Sequence, residues 1–319
     1  MTAISDHLGG HALKGSRFGA AIRRLGTAFL LMFALSAAPA AAQQDGYRIY
    51  ISVDMEGLAG AVTPNQIIDD GNEYNEFRQI MLGELLAAIS GAREAGATEF
   101  VISDSHGSLQ NIPLEGLPED VLIIRGEPRP LSMVEGIDNG EYDGAMFIGY
   151  HASASNMEGV RAHTFSSARL SEVKLNGVPA SEGYINAAVA GQFDVPVILI
   201  TGDDATIKEL EAVGAEGVAV KRAIGFHAAE TLTPAAARKQ IQAAARRAVG
   251  KIDSYRPFKV DTPAIMDVTF HYYRPAEVLS WLPQVERSGA RSVRFEGETP
   301  ADALKLLEFA LSYSIDLTP

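Results

Sequence analysis

The stretch YRIYISVDMEG at residues 47–57 combines a buried strand with two acids at its end. Its first part is rich in β-branched and aromatic side chains, which predicts a strand over Tyr47–Val53. In an extended chain, the side chains of Asp54 and Glu56 point to the same face. Two carboxylates on one face repel each other unless a cation or a proton neutralises them. This strand end is therefore a candidate functional site, and a solvated strand end or a helix-capping acid is the alternative.

Further apolar runs alternate with helical patterns along the chain, and this alternation predicts the fold class. We expect an α/β fold with a doubly wound, mostly parallel sheet, whose ligand sites collect at the carboxyl ends of the strands. The predicted strands are residues 99–103, 121–124, 145–149 and 195–200, and the predicted helices are residues 74–95, 182–190 and 203–213.

The character of the sequence changes around residues 214–225. Because the part beyond contains few candidate ligands, we predict a C-terminal α+β subdomain at 214–319 beside a metal-binding catalytic domain at 43–213. The elements predicted there are a long Ala/Arg helix over Pro234–Gly250, strands over Ala264–Phe270 and 291–296, and a final helix over 300–313.

Residues 1–42 have the features of a bacterial signal peptide. Basic residues precede an apolar run at 25–35, and alanines at 40–42 provide the small residues of a cleavage site. The run is shorter than the roughly 20 residues that a membrane-spanning helix needs. We therefore expect an exported, periplasmic protein, cleaved near Ala42, with no stable membrane span in the mature form. Retention of the segment as an uncleaved anchor is the alternative.

Composition excludes several classes of function. The formal net charge of -13 argues against a nucleic-acid partner, since that affinity comes from neutralising phosphates with basic residues. The chain contains no cysteine, so a bound metal must rely on oxygen and nitrogen donors. Neither a Gly-x-Ser-x-Gly elbow nor a nucleotide-binding fingerprint occurs in the sequence. Candidate ligands are therefore Asp, Glu and His.

Two histidines follow predicted strands in the same way as the two acids. His106 ends VISDSH at residues 101–106, and His151 follows MFIGY at residues 146–150. Because parallel strands end at one edge of the sheet, these histidines are expected to lie near the acids. Asp104 is predicted to orient the ring of His106, as supporting carboxylates do.

Glu182 and His163 complete the candidate set. Glu182 opens a predicted helix after Ser181, where a favourable interaction with the helix dipole is the alternative. His163 lies in a loop and can bend back over a metal pair to transfer a proton, because imidazole titrates near neutral pH. Three carboxylates and two imidazoles suit a pair of zinc-like ions with one bridging carboxylate. The predicted metal ligands are Asp54, Glu56, His106, His151 and Glu182.

Six strings along the chain occur together in the order and spacing of a known family. They are SVDMEG (52–57), SDSH (103–106), SMVEG (132–136), GYHA (149–152), AHTF (162–165) and AAVAGQFDVPVILITGDD (187–204). With them the chain resembles the M55 peptidase family of zinc-dependent D-aminopeptidases. The resemblance covers nearly all of residues 47–210 and extends more loosely to the C-terminus.

The resemblance implies a dinuclear zinc aminopeptidase with two zinc ions per subunit, assembled as a ring-like homo-oligomer. By the same resemblance, Asp54 would bridge the two ions. Glu56 and His151 would complete one zinc site, and His106 and Glu182 the other.

The resemblance also implies the reaction. Short peptides with an N-terminal D-amino acid, of the D-Ala-D-Ala type, would be hydrolysed, with His163 as the catalytic residue. Two alternatives stay open. One is a metal-dependent amidase or esterase that acts on another small substrate, and the other is a non-catalytic periplasmic binding protein on the same fold.

Overall fold

The strand Tyr47–Val53 lies inside a seven-stranded sheet in the computed structural model, which describes residues 46–313. The first sheet contains β1 (Tyr47–Val53), β2 (Ala97–Asp104), β3 (Val121–Ile124), β4 (Gly144–Ile148), β7 (Val197–Asp203), β8 (Glu216–Gly225) and β9 (Ala228–Thr231). Their order is β3-β2-β1-β4-β7-β8-β9, and every pairing except β8 with β9 is parallel. The predicted α/β fold with a mostly parallel sheet is confirmed.

The register of the sheet aligns the strand ends that carry the candidate ligands. Val53 pairs with Asp104 of β2 on one side and with Ile148 of β4 on the other. The residues that follow these strands therefore leave the sheet at the same edge.

Helices cover the first sheet on both faces. Within residues 46–313 the α-helices of both layers are α1 (Pro64–Ile67), α2 (Tyr74–Glu94), α3 (Glu182–Gln192), α4 (Asp204–Glu209), α5 (Pro234–Gly250), α6 (Tyr273–Leu279), which packs on the second sheet, and α7 (Pro300–Ser312). Ile49 and Ile51 of β1 belong to the core beneath α2 and α5, whereas Tyr50 belongs to the core that contains residues of α3 and α7. Because both faces of β1 are buried, its sequence is a nearly continuous apolar run.

A second, antiparallel sheet contains β5 (Leu170–Leu175), β6 (Val178–Pro179), β10 (Ala264–Phe270), β11 (Val285–Glu286) and β12 (Ser292–Gly297). Their order is β11-β12-β10-β5-β6.

The two sheets do not divide at the predicted domain boundary after residue 213. Strands β5 and β6 precede that boundary but pair within the second sheet, while β8 and β9 follow it and extend the first sheet. All of the described residues fall within one unit of contacts. The change in sequence character at 214–225 coincides with β8, where exposed residues are interspersed among buried ones because the strand lies near the sheet edge.

The predicted signal peptide at residues 1–42 lies outside the described residues. Within residues 46–313, none of the helices combines the length and apolarity that crossing a membrane requires.

Candidate metal centre

Asp54 and Glu56 lie in a loop that packs backbone to backbone against the segment leading to His151. The amide of Asp54 donates to the carbonyl of Ile148 at 2.8 Å, and the amide of Gly57 donates to the carbonyl of Gly149 at 2.7 Å. A Cβ atom at Gly57 would overlap the carbonyl oxygen of Tyr150. A glycine at this position therefore allows the two ligand-bearing segments to approach each other.

Replacing Gly57 with Ala is expected to separate these two segments. The added methyl group meets backbone rather than a movable side chain, so the free energy of unfolding should fall by about 1–3 kcal/mol and zinc affinity should fall with it. Chemical denaturation and zinc titration measure the two effects. Gly250→Ala is the matched control, since a Cβ there meets no atom. Unchanged zinc affinity in Gly57→Ala would show that this contact does not shape the site.

His106 follows β2 and directs one ring nitrogen at both acids of the loop. Its Nδ1 lies 2.8 Å from Glu56 Oε2 and 3.1 Å from Asp54 Oδ1, while Nε2 donates to the carbonyl of Ile67 at 2.6 Å. The carbonyl accepts only from an N–H group, so it fixes the proton on Nε2 and leaves Nδ1 for a proton or a metal.

Asp104 does not orient this ring, contrary to the prediction. Its carboxylate accepts hydrogen bonds from the side chain of Asn111 at 2.8 Å and from the amide of Ile112 at 2.7 Å. Asn111 also donates to the backbone carbonyl of His106. Asp104 therefore stabilises the loop around His106, and the ring itself is held by a backbone carbonyl that sequence reasoning did not identify.

His151 and Glu182 form the other side of the cluster. Glu182 lies in the first turn of α3, after the N-cap residue Ser181. His151 Nε2 lies 3.1 Å from Glu182 Oε2 and 3.4 Å from Asp54 Oδ2. The opposite ring nitrogen, Nδ1, donates to the carbonyl of Ala152 at 3.0 Å. Asp54 is thus in contact with both histidines and lies between the two halves of the cluster.

His163 bends back over His151, and its position over a metal pair stays a prediction. The two rings stack with centroids 4.1 Å apart, and His163 Nε2 lies 3.9 Å from Glu182 Oε1. Its Nδ1 donates to the carbonyl of Arg161 at 2.9 Å. Arg161 and Phe165, on either side of His163, have φ angles of 55° and 56°, in the left-handed region. Strained backbone of this kind is concentrated at functional sites.

All six predicted residues line one cavity of about 820 Å³. The five predicted ligands are almost completely buried. The ligand atoms of Asp54, Glu56 and His151 lie within 4.8 Å of one another, and so do those of His151, His163 and Glu182. The assignment of individual ligands to individual ions stays a prediction.

The hydrogen bonding of two buried atoms at the centre of the cluster indicates whether a cation fits there. Neither Asp54 Oδ2 nor His151 Nε2 makes a well-directed hydrogen bond among the described residues, although the two atoms lie 3.4 Å apart and His151 Nε2 lies 3.1 Å from Glu182 Oε2. A buried polar atom without a partner costs free energy, and a cation between a carboxylate oxygen and an imidazole nitrogen removes that cost. Carboxylate and imidazole are the donors that zinc binds in proteins that offer no thiolate. The residues present therefore fit a divalent metal.

The electrostatics of the acids and histidines are strongly linked. Burial and the neighbouring Glu56 raise the pKa of Asp54. Burial alone would raise the pKa of Glu56, but the charge and hydrogen bond of His106 lower it well below its usual value. Burial and the neighbouring His151 lower the pKa of His163. His163 is therefore neutral at pH 7, with a free lone pair on Nε2.

Zinc binding is expected to release protons at neutral pH. Burial alone would lower the pKa of His151, but Glu182 and Asp54 raise it to about 10. The pKa of His106 is likewise raised well above its usual value, against the effect of burial, by Glu56 and Asp54. A raised pKa means that each ring holds its proton at pH 7 and must lose it before a metal binds. Zinc affinity should therefore increase with pH toward about 10.

Calorimetric titration with zinc in buffers of different ionisation enthalpy measures this proton release directly. We expect more than one proton to be released per chain at pH 7. A binding enthalpy independent of the buffer would contradict the charged state assigned to these imidazoles.

Lys221 of β8 is a buried residue beside the site that sequence reasoning missed. The pairing of β8 with β7 shifts register at this point, so that Gly202 pairs with Ala219 and Asp203 with Lys221. Such irregularities re-aim a side chain, and Lys221 is only 3% exposed. Burial lowers its pKa to about 8. The available signal was a lysine directly after the apolar residues 218–220.

Comparisons with known proteins agree with this fold. The model of the M55 peptidase family, described as D-aminopeptidase, matches residues 47–309. The D-aminopeptidase of Bacillus subtilis (strain 168) is 33% identical over 264 residues, which cover 82% of this chain and 95% of that protein. A solved structure is similar with a TM-score of 0.78 and 32% identity, over 84% of this chain and 99% of that one. It is the Zn-dependent D-aminopeptidase DppA from Bacillus subtilis, described as a self-compartmentalizing protease.

Fold and site together define an enzyme of the metallopeptidase class. The chain belongs to the M55 peptidase family of D-aminopeptidases. The family resemblance of the sequence motifs and the predicted enzyme class are confirmed.

Proposed function

We propose that this chain is a dinuclear zinc aminopeptidase that hydrolyses short peptides with an N-terminal D-amino acid. One observation carries the proposal: three carboxylates and three imidazoles converge in one cavity, where the buried atoms Asp54 Oδ2 and His151 Nε2 make no well-directed hydrogen bond among the described residues. The zinc dependence and D-aminopeptidase activity of the similar solved protein support it.

Five side chains would hold the metal ions. Asp54 would bridge, because its two carboxylate oxygens face different halves of the cluster: Oδ1 faces His106 and Oδ2 faces His151. Because His106 contacts Glu56 and His151 contacts Glu182, these two pairs would complete the two zinc sites, in place of the pairs that the family resemblance implies. Zinc supplies Lewis-acid chemistry toward water and toward the peptide carbonyl.

His163 is the proposed catalytic residue. Its Nδ1 proton is committed to the carbonyl of Arg161, and its neutral Nε2 lines the cavity beside Glu182. His163 would accept at Nε2 a proton from the water that bonds to the peptide carbonyl carbon, and would pass that proton to the nitrogen as the C–N bond breaks, so that the amine leaves uncharged.

Paired substrates test the proposed reaction. We expect the zinc-loaded protein to hydrolyse D-Ala-D-Ala and to leave L-Ala-L-Ala largely intact. Esters and simple amides of D-alanine belong in the same panel, since preferential turnover of these would favour the amidase or esterase alternative. Zinc binding without turnover of any of these substrates would favour a binding protein.

We also propose that the protein is exported and assembles as a ring-like homo-oligomer. The basic and apolar pattern of residues 1–42 supports export, and the self-compartmentalizing character of the similar solved protein supports assembly. N-terminal sequencing of the cell-derived protein should give a start near residue 43. Light scattering should give a mass several times that of one chain. An intact leader or a monomer would contradict these two proposals.

A further inference from the structure

The loop that carries Asp54 and Glu56 surrounds a buried ammonium group. Lys221 Nζ donates to the backbone carbonyls of Glu56, Leu58 and Ala61. The distances to Leu58 and Ala61 are 3.1 and 2.6 Å. An ammonium group has three N–H donors, so every proton of Lys221 is directed at this loop. Among residues 46–313 the ammonium makes no ion pair within 4.0 Å.

A second buried side chain, which comes from a helix rather than from the sheet, binds the same loop. Glu84 of α2 is fully buried and accepts a hydrogen bond from the amide of Ala59 at 3.0 Å. Lys221 of the sheet therefore binds carbonyl groups of the loop, and Glu84 of the helix binds one of its amides. Neither side chain lines the metal-site cavity.

Because Lys221 is buried, the stability of its charged form depends on the conformation of the loop. A buried charge is costly unless polar groups replace its lost hydration. Here the carbonyls of Glu56, Leu58 and Ala61 provide that replacement. A loop conformation that turned these carbonyls away would leave the ammonium buried without partners. The carboxylates of Asp54 and Glu56 are attached to the same short loop, so their direction is restricted as well.

We propose that Lys221 is a positioning residue, which holds residues 54–61 in the geometry that receives the metal before any metal binds. The inference rests on the proposed metal-binding function and adds to it a preorganising group outside the cavity. Such supporting groups commonly change metal affinity by about 10–100-fold.

Hydrogen exchange on the unsubstituted protein tests the preorganisation. The amides of Asp54, Gly57, Ala59 and Ala61 are hydrogen-bonded, and we expect them to be protected in the zinc-free protein nearly as well as in the zinc-loaded one. Protection that appears only after zinc is added would show that the metal orders the loop, and would overturn the proposal.

A charge-free variant of similar volume tests the link to the metal. Lys221→Met is expected to bind zinc about 10–100-fold more weakly in chelator competition, and to change the visible absorption of the cobalt-substituted protein. Lys208→Met is the matched control, because Lys208 is exposed and pairs with Glu158 at the surface. It should bind zinc like the unsubstituted protein.

The outcomes separate this inference from the proposed function. If the unsubstituted protein binds no zinc, the metal-binding function itself fails. If it binds zinc and Lys221→Met binds equally well with an unchanged cobalt spectrum, only the role of Lys221 fails. If Lys221→Met does not fold, the hydrogen-exchange result decides.

Discussion

Replacing His163 with Ala is expected to lower kcat by about 10²–10⁴-fold while leaving zinc content unchanged. The imidazole lines the cavity and holds a neutral Nε2 near Glu182, but it lies beside the five proposed ligands and is not one of them. Loss of a proton-transfer group slows the chemical step without removing the metal. Steady-state kinetics on D-Ala-D-Ala and metal analysis of the same sample measure both quantities.

His227→Ala is the matched control for this substitution. His227 is exposed on the segment after β8 and does not line the cavity, so its removal should change neither kcat nor zinc content. Full activity in His163→Ala would show that the assigned role is wrong. Loss of zinc in His163→Ala would instead identify His163 as a metal ligand.

Replacing Asp54 with Ala is expected to abolish both zinc binding and turnover. Its two oxygens face His106 and His151 on opposite sides of the cluster, so a single substitution removes a donor from both proposed metal positions. The substitution also relieves the repulsion between Asp54 and Glu56. Burial is the larger cause of the raised pKa of Asp54, and this repulsion is the next. The folded state should therefore survive the substitution. Metal analysis together with circular dichroism tests this result.

Asp70→Ala removes an equivalent charge from an exposed loop residue and should retain zinc. An Asp54→Ala protein that stays fully loaded with zinc would contradict the bridging role. Retention of half the zinc would place Asp54 in one metal site only.

The central strands and helices could be predicted from the sequence because their apolar runs are buried on both faces. The strand Tyr47–Val53, the helix Pro234–Gly250 and the strand Ala264–Phe270 have the predicted bounds. The short strands of the second sheet were not predicted except for β10 and β12. Strand β5 is interrupted by charged residues, and β6 and β11 have two residues each. Such segments are stabilised by their neighbours in the sheet and carry little periodicity of their own.

The convergence of the site could be predicted because parallel strands end at a common edge. His106 and His151 follow β2 and β4, the two neighbours of β1, and this explains why a pattern of strand ends identified them. The hydrogen-bond partners of their rings could not be predicted. The carbonyls of Ile67 and Ala152 are backbone groups, and their positions depend on tertiary packing rather than on residue type.

The role of Lys221 could not be predicted either, because it also depends on tertiary packing. Its distance of 165 positions from Glu56 along the chain leaves no local pattern that connects the two residues. The irregular pairing of β8 turns the lysine inward, and a strict alternation of buried and exposed residues would not place it there.

Zinc stoichiometry is the measurement that tests the account most directly. The protein should be stripped of metal, reloaded with excess zinc, dialysed and analysed by mass spectrometry for metal per chain. We predict two zinc ions per chain in the unsubstituted protein and essentially none in Asp54→Ala. A folded, unsubstituted protein that retains no zinc after saturation would contradict the proposal that Asp54, Glu56, His106, His151 and Glu182 form a metal centre.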